Sequence, residues 1–283
     1  MVTITIRWKL VQILICMNQW CLMRLSSIPL KIFSSRVYLT LKKTAIALTH
    51  AGVTFKEIRV DSSLSPEEIE ELLSFNLSEK LDSDSGKINF DYQVIERGST
   101  NSSTLLQVVA VPEDQVKRWC QLLRAAKLSP KIVDIDLYAI ERAIRHQLKN
   151  IEELVAVVIV DHGTVFIVVI DQKKVIYYHE EFVGSESLGS IAQVVAQIDL
   201  QLRMIAEVLS HPVKQLVLAG EKSLLIGLDQ AINAQLNVKT TMADPFSGMQ
   251  LSSMVKPELI KRIAPMMLIS CGLALRVADE YET

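Results

Sequence analysis

Cysteine and histidine are scarce in this sequence of 283 residues, and neither is grouped. The four cysteines, Cys16, Cys21, Cys120 and Cys271, form no Cys-x-x-Cys pair, and the five histidines are scattered. Zinc sites need clusters of these residues, and disulfide scaffolds need a framework of paired cysteines. The sequence therefore argues against a zinc or disulfide-based protein and fits a reducing compartment.

Acidic residues are missing from the first 56 positions, where eight lysines and arginines occur. The remaining positions hold the other 22 of the 30 basic residues and all 32 acidic ones, a formal charge of −10. A basic, apolar N-terminal segment of this kind could contact a membrane surface or an anionic partner. The net charge of −2 gives no general case for nucleic-acid binding.

The uncharged segment Leu10–Met23 is too short to span a bilayer, because a transmembrane helix needs about 20 residues. It is flanked by the basic residues Lys9 and Arg24, and in this respect it resembles the apolar part of a signal sequence. No cleavage site of small residues follows it, however. We interpret the segment as a core strand or an interfacial segment.

Motifs of nucleophilic enzymes are also missing. The sequence contains no Gly-x-Ser-x-Gly elbow, and no Cys/His pairing or pair of catalytic acids stands out. Hydrophobic residues make up 49% of the chain, so a folded core is expected. Composition therefore predicts a folded protein and favours none of the common hydrolase chemistries.

The most regular part of the sequence is 154–183. The apolar runs 154–160 and 165–170 consist largely of Val and Ile, which is typical of strands buried on both faces. The turn residues Asp161–Thr164 separate them, and a second turn leads into a third strand over 175–183. This stretch predicts the opening of a sheet.

The preceding region, 44–130, predicts a β-β-α-β-β-α unit with helices on one side of a sheet. A capping box, Ser65 with Glu68, predicts the start of its first helix. The other predicted elements are strands 44–49, 53–60, 88–96 and 104–111 and a helix over 112–128.

Helical periodicity dominates the C-terminal half. A single apolar stripe from Leu188 to Leu209 predicts the longest helix, with Asp199, Arg203 and Glu207 on the opposite face. The other predicted elements are strands 131–135, 213–218 and 237–241 and helices 136–148, 222–236 and 257–276.

Several motifs in order resemble the PilM family of type IV pilus assembly proteins. Val133–Arg142 looks like the family's connecting helix, and Ala243–Met249 resembles its Asn-Pro-Phe loop. Ala264–Met266 with Cys271–Arg276 is similar to its closing helix, and Asn89–Val94 also fits. The resemblance covers about residues 44–283.

This resemblance implies an α/β, actin-like fold of two lobes, with the first lobe and the helical subdomain reduced. It implies three domains: a divergent remnant of the first lobe at 1–43, an inserted small α+β subdomain like that of the division protein FtsA at 44–130, and the second lobe with connecting helices at 131–283. It also implies a cytoplasmic scaffold at the inner face of the bacterial inner membrane. The expected partners are the N-terminal tail of the inner-membrane protein PilN, other pilus platform proteins and a second copy of the chain, with only indirect membrane contact.

Actin-like relatives hold ATP with Mg, so the resemblance also implies cofactor-binding positions. In this sequence they are Asp161, Gly163, Thr164, Gly184, Ser185, Glu186 and Gly220. Several positions depart from the family pattern. His162 replaces an apolar residue, Glu221 replaces a second glycine, and no acidic residue precedes the Trp8–Gln12 segment that resembles the first phosphate hairpin. An ordinary β-turn also explains Asp161–Thr164, because Asp and Gly suit such turns.

Three functional hypotheses follow. The first is a pilus-platform scaffold whose nucleotide site has degenerated and which is not an enzyme. The second is an ATP-binding or ATP-hydrolysing switch, in which the second hairpin compensates for the first. The third is a truncated, non-functional relic of such a protein.

Overall fold

A computed structural model describes residues 43–80, 87–97, 103–149, 151–161, 163–172, 174–209, 211–250 and 257–282. The predictions for Leu10–Met23, for Trp8–Gln12 and for the first-lobe remnant as far as position 42 lie outside these ranges, as does His162.

Ten strands and seven α-helices occur in these ranges. The strands are β1 (Lys43–Leu48), β2 (Thr54–Asp61), β3 (Ile88–Glu96), β4 (Ser103–Pro112), β5 (Ser129–Ile135), β6 (Val155–Asp161), β7 (Thr164–Asp171), β8 (Lys174–Phe182), β9 (Gln215–Ala219) and β10 (Lys239–Met242). The helices are α1 (Pro66–Lys80), α2 (Glu113–Ala125), α3 (Asp136–Leu148), α4 (Ile191–Leu209), α5 (Leu228–Leu236), α6 (Pro257–Ile263) and α7 (Leu268–Glu282). Short 3₁₀ turns occupy His50–Gly52, Glu186–Leu188, Glu221–Leu224 and Ala264–Met266.

The central layer is a five-stranded sheet in the order β10-β9-β6-β7-β8. β6, β7 and β8 form an antiparallel meander, whereas β9 lies parallel to β6 and β10 lies parallel to β9. The strand-turn-strand prediction for 154–183 is confirmed.

Burial on both faces explains the unbroken apolar runs in β6 and β7. Val155, Val157 and Ile159 point into one hydrophobic cluster, and Ala156 and Val158 point into a second one on the opposite face. Residues of α3 and α7 belong to the first cluster, and residues of α4 and α5 belong to the second. Each fully buried aliphatic side chain contributes about 1.5–3 kcal/mol, so both helical layers are required.

The small antiparallel sheet contains β2, β4 and β3, in that order. Val60, Leu106 and Val108 pack against Leu73 and Leu77 of α1 on one face. The predicted capping box is confirmed, since the Ser65 amide donates to Glu68 Oε2 at 2.8 Å and the Glu68 amide donates to Ser65 Oγ at 3.2 Å.

The prediction that β1 belongs to this sheet is wrong. β1 pairs in parallel with β5, where Ile46 lies opposite Val133 and Leu48 lies opposite Ile135. Residues 45–48 are all buried, whereas β2 alternates between more and less exposed positions. A strand covered on both faces belongs to the inner layer. The boundary of a domain at 44–130 stays a prediction.

Two predicted helices are interrupted. The 222–236 helix is divided between the 3₁₀ turn Glu221–Leu224 and α5, because Gly227 has a φ of 86°. The final helix breaks at the 3₁₀ turn that contains Pro265, which separates α6 from α7. Proline lacks the amide hydrogen that a continuous helix needs there.

Helices α3 and α7 cross at Gly272. A Cβ atom on Gly272 would lie 1.8 Å from the backbone oxygen of Ala139, so no larger residue fits without a shift of a helix. Arg142 Nη1 donates to the Gly272 carbonyl at 2.7 Å and lies 3.2 Å from Asp134 Oδ2. Arg276 Nη1 lies 2.9 Å from the other oxygen of the buried Asp134. The crossing therefore combines close backbone contact with a buried ion cluster.

We expect Gly272→Ala to lower the free energy of unfolding by about 1–3 kcal/mol, because the added methyl group must push the helices apart. Urea denaturation followed by circular dichroism measures the change. Ala196→Val adds volume at an exposed position of α4 and is the matched control, with a change of about 0.5 kcal/mol. Equal effects of the two substitutions would show that the crossing is not tightly packed.

Candidate functional site

The predicted cofactor-binding residues gather at the carboxyl ends of β6 and β9. Asp161 ends β6, and Gly220 directly follows β9. Because these neighbouring strands are parallel, both residues lie at the same edge of the sheet. Asp161 Oδ1 accepts a hydrogen bond from the Glu221 amide at 2.6 Å. This side-chain-to-backbone contact joins the ends of β6 and β9 at the edge of the sheet where α/β proteins commonly bind ligands.

Two glycines allow this close approach. Gly220 has a φ of 86°, and a Cβ atom there would lie 2.5 Å from the Val160 carbonyl oxygen. Gly163 also has a φ of 86°, and a Cβ atom there would lie 2.8 Å from the Ser185 amide nitrogen. Both positions therefore need glycine for conformation and for space.

The β6–β7 turn is also bonded to the segment after β8. The Gly163 carbonyl accepts hydrogen bonds from the amides of Val183 at 2.8 Å and Gly184 at 3.0 Å. The structure thus brings Asp161, Gly163, Gly184, Ser185 and Gly220 together. Thr164, at the start of β7, lies beside them, and Glu186 begins the next 3₁₀ turn.

Three amides that could have met phosphate oxygens are engaged within the protein. The Gly184 amide donates to Gly163, the Gly220 amide donates to the Pro265 carbonyl at 3.0 Å, and the Glu221 amide donates to Asp161. Phosphate cradles are built from amides that point at the ligand. These three amides are therefore directed at partners within the protein.

A small polar cavity adjoins the hairpin. Its volume is about 20 Å³, which is about enough for one water molecule. Its polar lining residues are Thr49, His50, Asp136, Asp161, Thr164 and Glu180. Thr164 is buried, and its hydroxyl has no hydrogen-bond partner among the described residues. The cavity is polar but small.

His50, which sequence reasoning missed, occupies the centre of this region. Its Nδ1 lies 3.0 Å from Asp136 Oδ2, its Nε2 lies 3.6 Å from Glu180 Oε2, and its amide donates to Asp136 Oδ1 at 3.1 Å. The imidazole stacks on Phe166 with ring centroids 4.3 Å apart. His50 is 86 positions from Asp136 in sequence, so no local pattern could have linked them.

A second feature is an aromatic cluster, which we call the Phe55 cluster and define by Phe55, Tyr138 and Tyr178. Phe55 lies on the face of the small sheet opposite α1, 6.3 Å from the Tyr138 ring and 5.9 Å from the Tyr178 ring. Burial raises the pKa of Tyr138 to about 12, and the charges of Asp134 and Asp91 add to the shift. The Phe55 cluster therefore joins the small sheet to α3 and β8 and carries a neutral phenol beside acidic groups.

Across residues 43–282, apart from the short gaps given above, no three His, Cys, Asp or Glu side chains are grouped to hold a metal ion. No helix in the same ranges has the length and apolar character needed to cross a bilayer.

Comparison with known proteins identifies the family. The sequence model of the type IV pilus assembly protein PilM matches residues 29–191 and 189–278. The chain belongs to the PilM family. The α/β, actin-like fold implied by the sequence motifs is confirmed for this PilM-family chain.

Among solved structures, a PilM–PilN type IV pilus biogenesis complex is similar, with 15% identity and a TM-score of 0.69 over 87% of this chain and 82% of that one. The cytoplasmic domain of EpsL, an inner-membrane component of the type II secretion system of Vibrio cholerae, is 13% identical, with a TM-score of 0.44 over 87% of this chain and 79% of the other. The first of these likenesses shows the fold alone, and the second is too weak to support an argument.

We expect Asp161→Ala to lower the free energy of unfolding by about 1–3 kcal/mol, because it leaves the Glu221 amide without its acceptor. Asp161→Asn keeps an oxygen acceptor, so it should lower the free energy of unfolding by less than Asp161→Ala does. Urea denaturation of both variants measures the difference. Equal losses would show that the charge of Asp161, and not the hydrogen bond, stabilises the hairpin.

Proposed function

We propose that this PilM-family chain is a cytoplasmic scaffold of the type IV pilus platform, at the inner face of the inner membrane, that binds the N-terminal tail of a PilN-like protein. Family membership and the likeness to a PilM–PilN complex support the general role. The observation that carries the proposal is the small sheet, which has an outer strand on each side and the Phe55 cluster on one face.

The small sheet offers backbone groups for an added strand. In the described ranges, β2 and β3 are its outer strands, and β3 extends over nine residues. An extended peptide that pairs with such an edge gains main-chain hydrogen bonds, and pockets for its alternate side chains provide specificity.

The Phe55 cluster offers an aromatic contact for such a side chain. Val109, on the same face of the sheet as Phe55, packs against the hydrophobic cluster that contains residues of α3. Asp91 of the outer strand β3 and Phe55 of β2 both lie opposite Val109 of β4, so an outer strand carries a carboxylate beside the cluster. An apolar side chain of the peptide would contact the rings while nearby carboxylates attract its basic residues.

We further propose that the nucleotide site has degenerated and that the chain is not an enzyme. The amides of Gly184, Gly220 and Glu221 are engaged internally, and the adjoining cavity is about 20 Å³. The second candidate, an ATP-dependent switch, draws support from the retained glycines at positions 163 and 220. Its cofactor would be ATP with Mg.

We expect a peptide with the N-terminal sequence of the PilN-like protein to bind the purified chain in isothermal titration calorimetry. Phe55→Ala should weaken binding by about 1–3 kcal/mol, because it removes an aromatic ring that the peptide would contact. Phe75→Ala, at a 66% exposed position of α1, is the matched control and should bind as the parent does.

Equal binding by the two variants would place the peptide elsewhere. A chain that aggregates on expression and binds no peptide would support the relic hypothesis instead.

We expect titration of the same protein with Mg-ATP to give no measurable heat at concentrations up to about 1 mM, which corresponds to less than about 4 kcal/mol of binding free energy. Tight binding would support the switch hypothesis. In that case Gly163→Ala should abolish ATP binding, because the added methyl group would disrupt the close contact between residue 163 and Ser185.

A further inference from the structure

Helix α2 and the turn after it form a basic region in an otherwise acidic part of the chain. Residues 115–133 contain five lysines and arginines and no acidic residue. From Glu57 onward the chain holds 22 basic and 32 acidic residues, so the positions outside 115–133 hold 17 basic residues against all 32 acidic ones. A charge asymmetry of this kind is typical of surfaces that bind nucleic acid, membranes or anionic partners.

The cationic side chains lie on the exposed side of α2. The inner side of the helix packs through Leu123 against residues of β1 and β5. We define the α2 basic surface by the exposed residues Arg118, Leu122, Arg124 and Lys127. Arg118 and Leu122 are four positions apart and so are neighbours on one face of the helix. Leu122 is 41% exposed, so an apolar side chain lies among the cations.

The three cations of this surface are available to a partner. Among the described residues, Arg118, Arg124 and Lys127 form no salt bridge, whereas the neighbouring Lys117 lies 2.7 Å from Glu113. Arg124 and Lys127 also complement the negative end of the helix dipole, but Arg118 lies in the middle of the helix and does not. The dipole therefore does not account for the whole surface.

We propose that the α2 basic surface binds the anionic phospholipids of the inner membrane directly. The proposal rests on the location proposed above and not on the peptide site, and it differs from the indirect membrane contact that the family resemblance implies. A cytoplasmic leaflet carries a negative surface potential that attracts basic segments. Its headgroups contact the three cations, and Leu122 enters the boundary with the acyl chains, as apolar residues of interfacial helices do.

The exposed leucine favours lipid over nucleic acid. Nucleic-acid sites combine cations with polar or aromatic side chains that contact bases, and Leu122 can do neither. In addition, α2 directly follows β4 of the small sheet, so the lipid contact and the proposed peptide contact involve neighbouring parts of the chain. Two weak contacts with one membrane reinforce each other, because the second becomes intramolecular once the first has formed.

The test is flotation of the full chain with phosphatidylcholine vesicles, with and without about 30% phosphatidylglycerol, in about 0.1 M salt. The parent should float with the anionic vesicles and not with the neutral ones. Arg118→Ala combined with Lys127→Ala should lower the partition coefficient about 25-fold, because each cation near an anionic surface contributes about fivefold. Both side chains are exposed, so circular dichroism of this variant should match that of the parent.

A second double variant is the matched control. Lys261→Ala combined with Arg262→Ala removes the same charge from exposed positions of α6. Its partition coefficient should stay within about twofold of the parent value, because charges more than a Debye length from the membrane are screened. The basic N-terminal segment is identical in all of these proteins, so a difference between the two double variants does not come from it.

A parent that floats no better with anionic than with neutral vesicles would overturn the proposal. So would equal losses in the two double variants, since net charge alone would then explain binding. Binding to double-stranded DNA that is tighter than vesicle binding, and lost in the Arg118 and Lys127 variant, would overturn it in favour of nucleic acid.

The lipid contact and the peptide site can fail separately. A parent that binds the peptide in calorimetry but not the anionic vesicles would overturn the lipid contact alone. A parent that binds the anionic vesicles through the α2 basic surface but not the peptide would support the lipid contact and contradict the peptide site.

Discussion

Burial of β6 and β7 on both faces is the constraint on which the rest of the structure depends. Their alternating side chains belong to two separate hydrophobic clusters, so the sheet must be covered from both sides. Helices α3 and α7 cover one side, and α4 and α5 cover the other. Because these strands are fixed from both faces, Asp161 and Gly220 are held at one edge of the sheet with little freedom.

His50 connects this central layer to the small sheet. It lies in the turn between β1 and β2 and contacts α3 through Asp136, β7 through Phe166 and β8 through Glu180 and Tyr178. A polar side chain in so buried a position needs partners, and the carboxylates of Asp136 and Glu180 face its two ring nitrogens. The orientation of the small sheet relative to the central layer therefore depends on a few long-range contacts.

The ends of the strands at this edge are held together by internal hydrogen bonds. The amides of Gly184, Gly220 and Glu221 are bonded to Gly163, Pro265 and Asp161. These bonds stabilise the edge of the sheet. The proposed scaffold depends on groups outside this edge: the outer strands of the small sheet and the Phe55 cluster.

Local sequence patterns were enough to predict the secondary-structure elements and the family. Apolar runs without alternation identified β6 and β7, the helical stripe identified α4, and Ser65 with Glu68 marked the start of α1. Ordered motifs such as Val133–Arg142 pointed to the PilM family. These signals are local, because strand burial, helix periodicity and capping depend on residues a few positions apart.

The strand neighbours and the contacts between distant side chains followed from the folded chain and not from local patterns. The pairing of β1 with β5, the contact of His50 with Asp136 and the bond between Asp161 and Glu221 each join residues 60 or more positions apart. Gly227 and Pro265, which interrupt the two helices, are present in the sequence. The apolar periodicity on both sides of them nevertheless predicted continuous helices. Contacts over such distances depend on the closure of long loops and on the shape of the whole core, which no local pattern encodes.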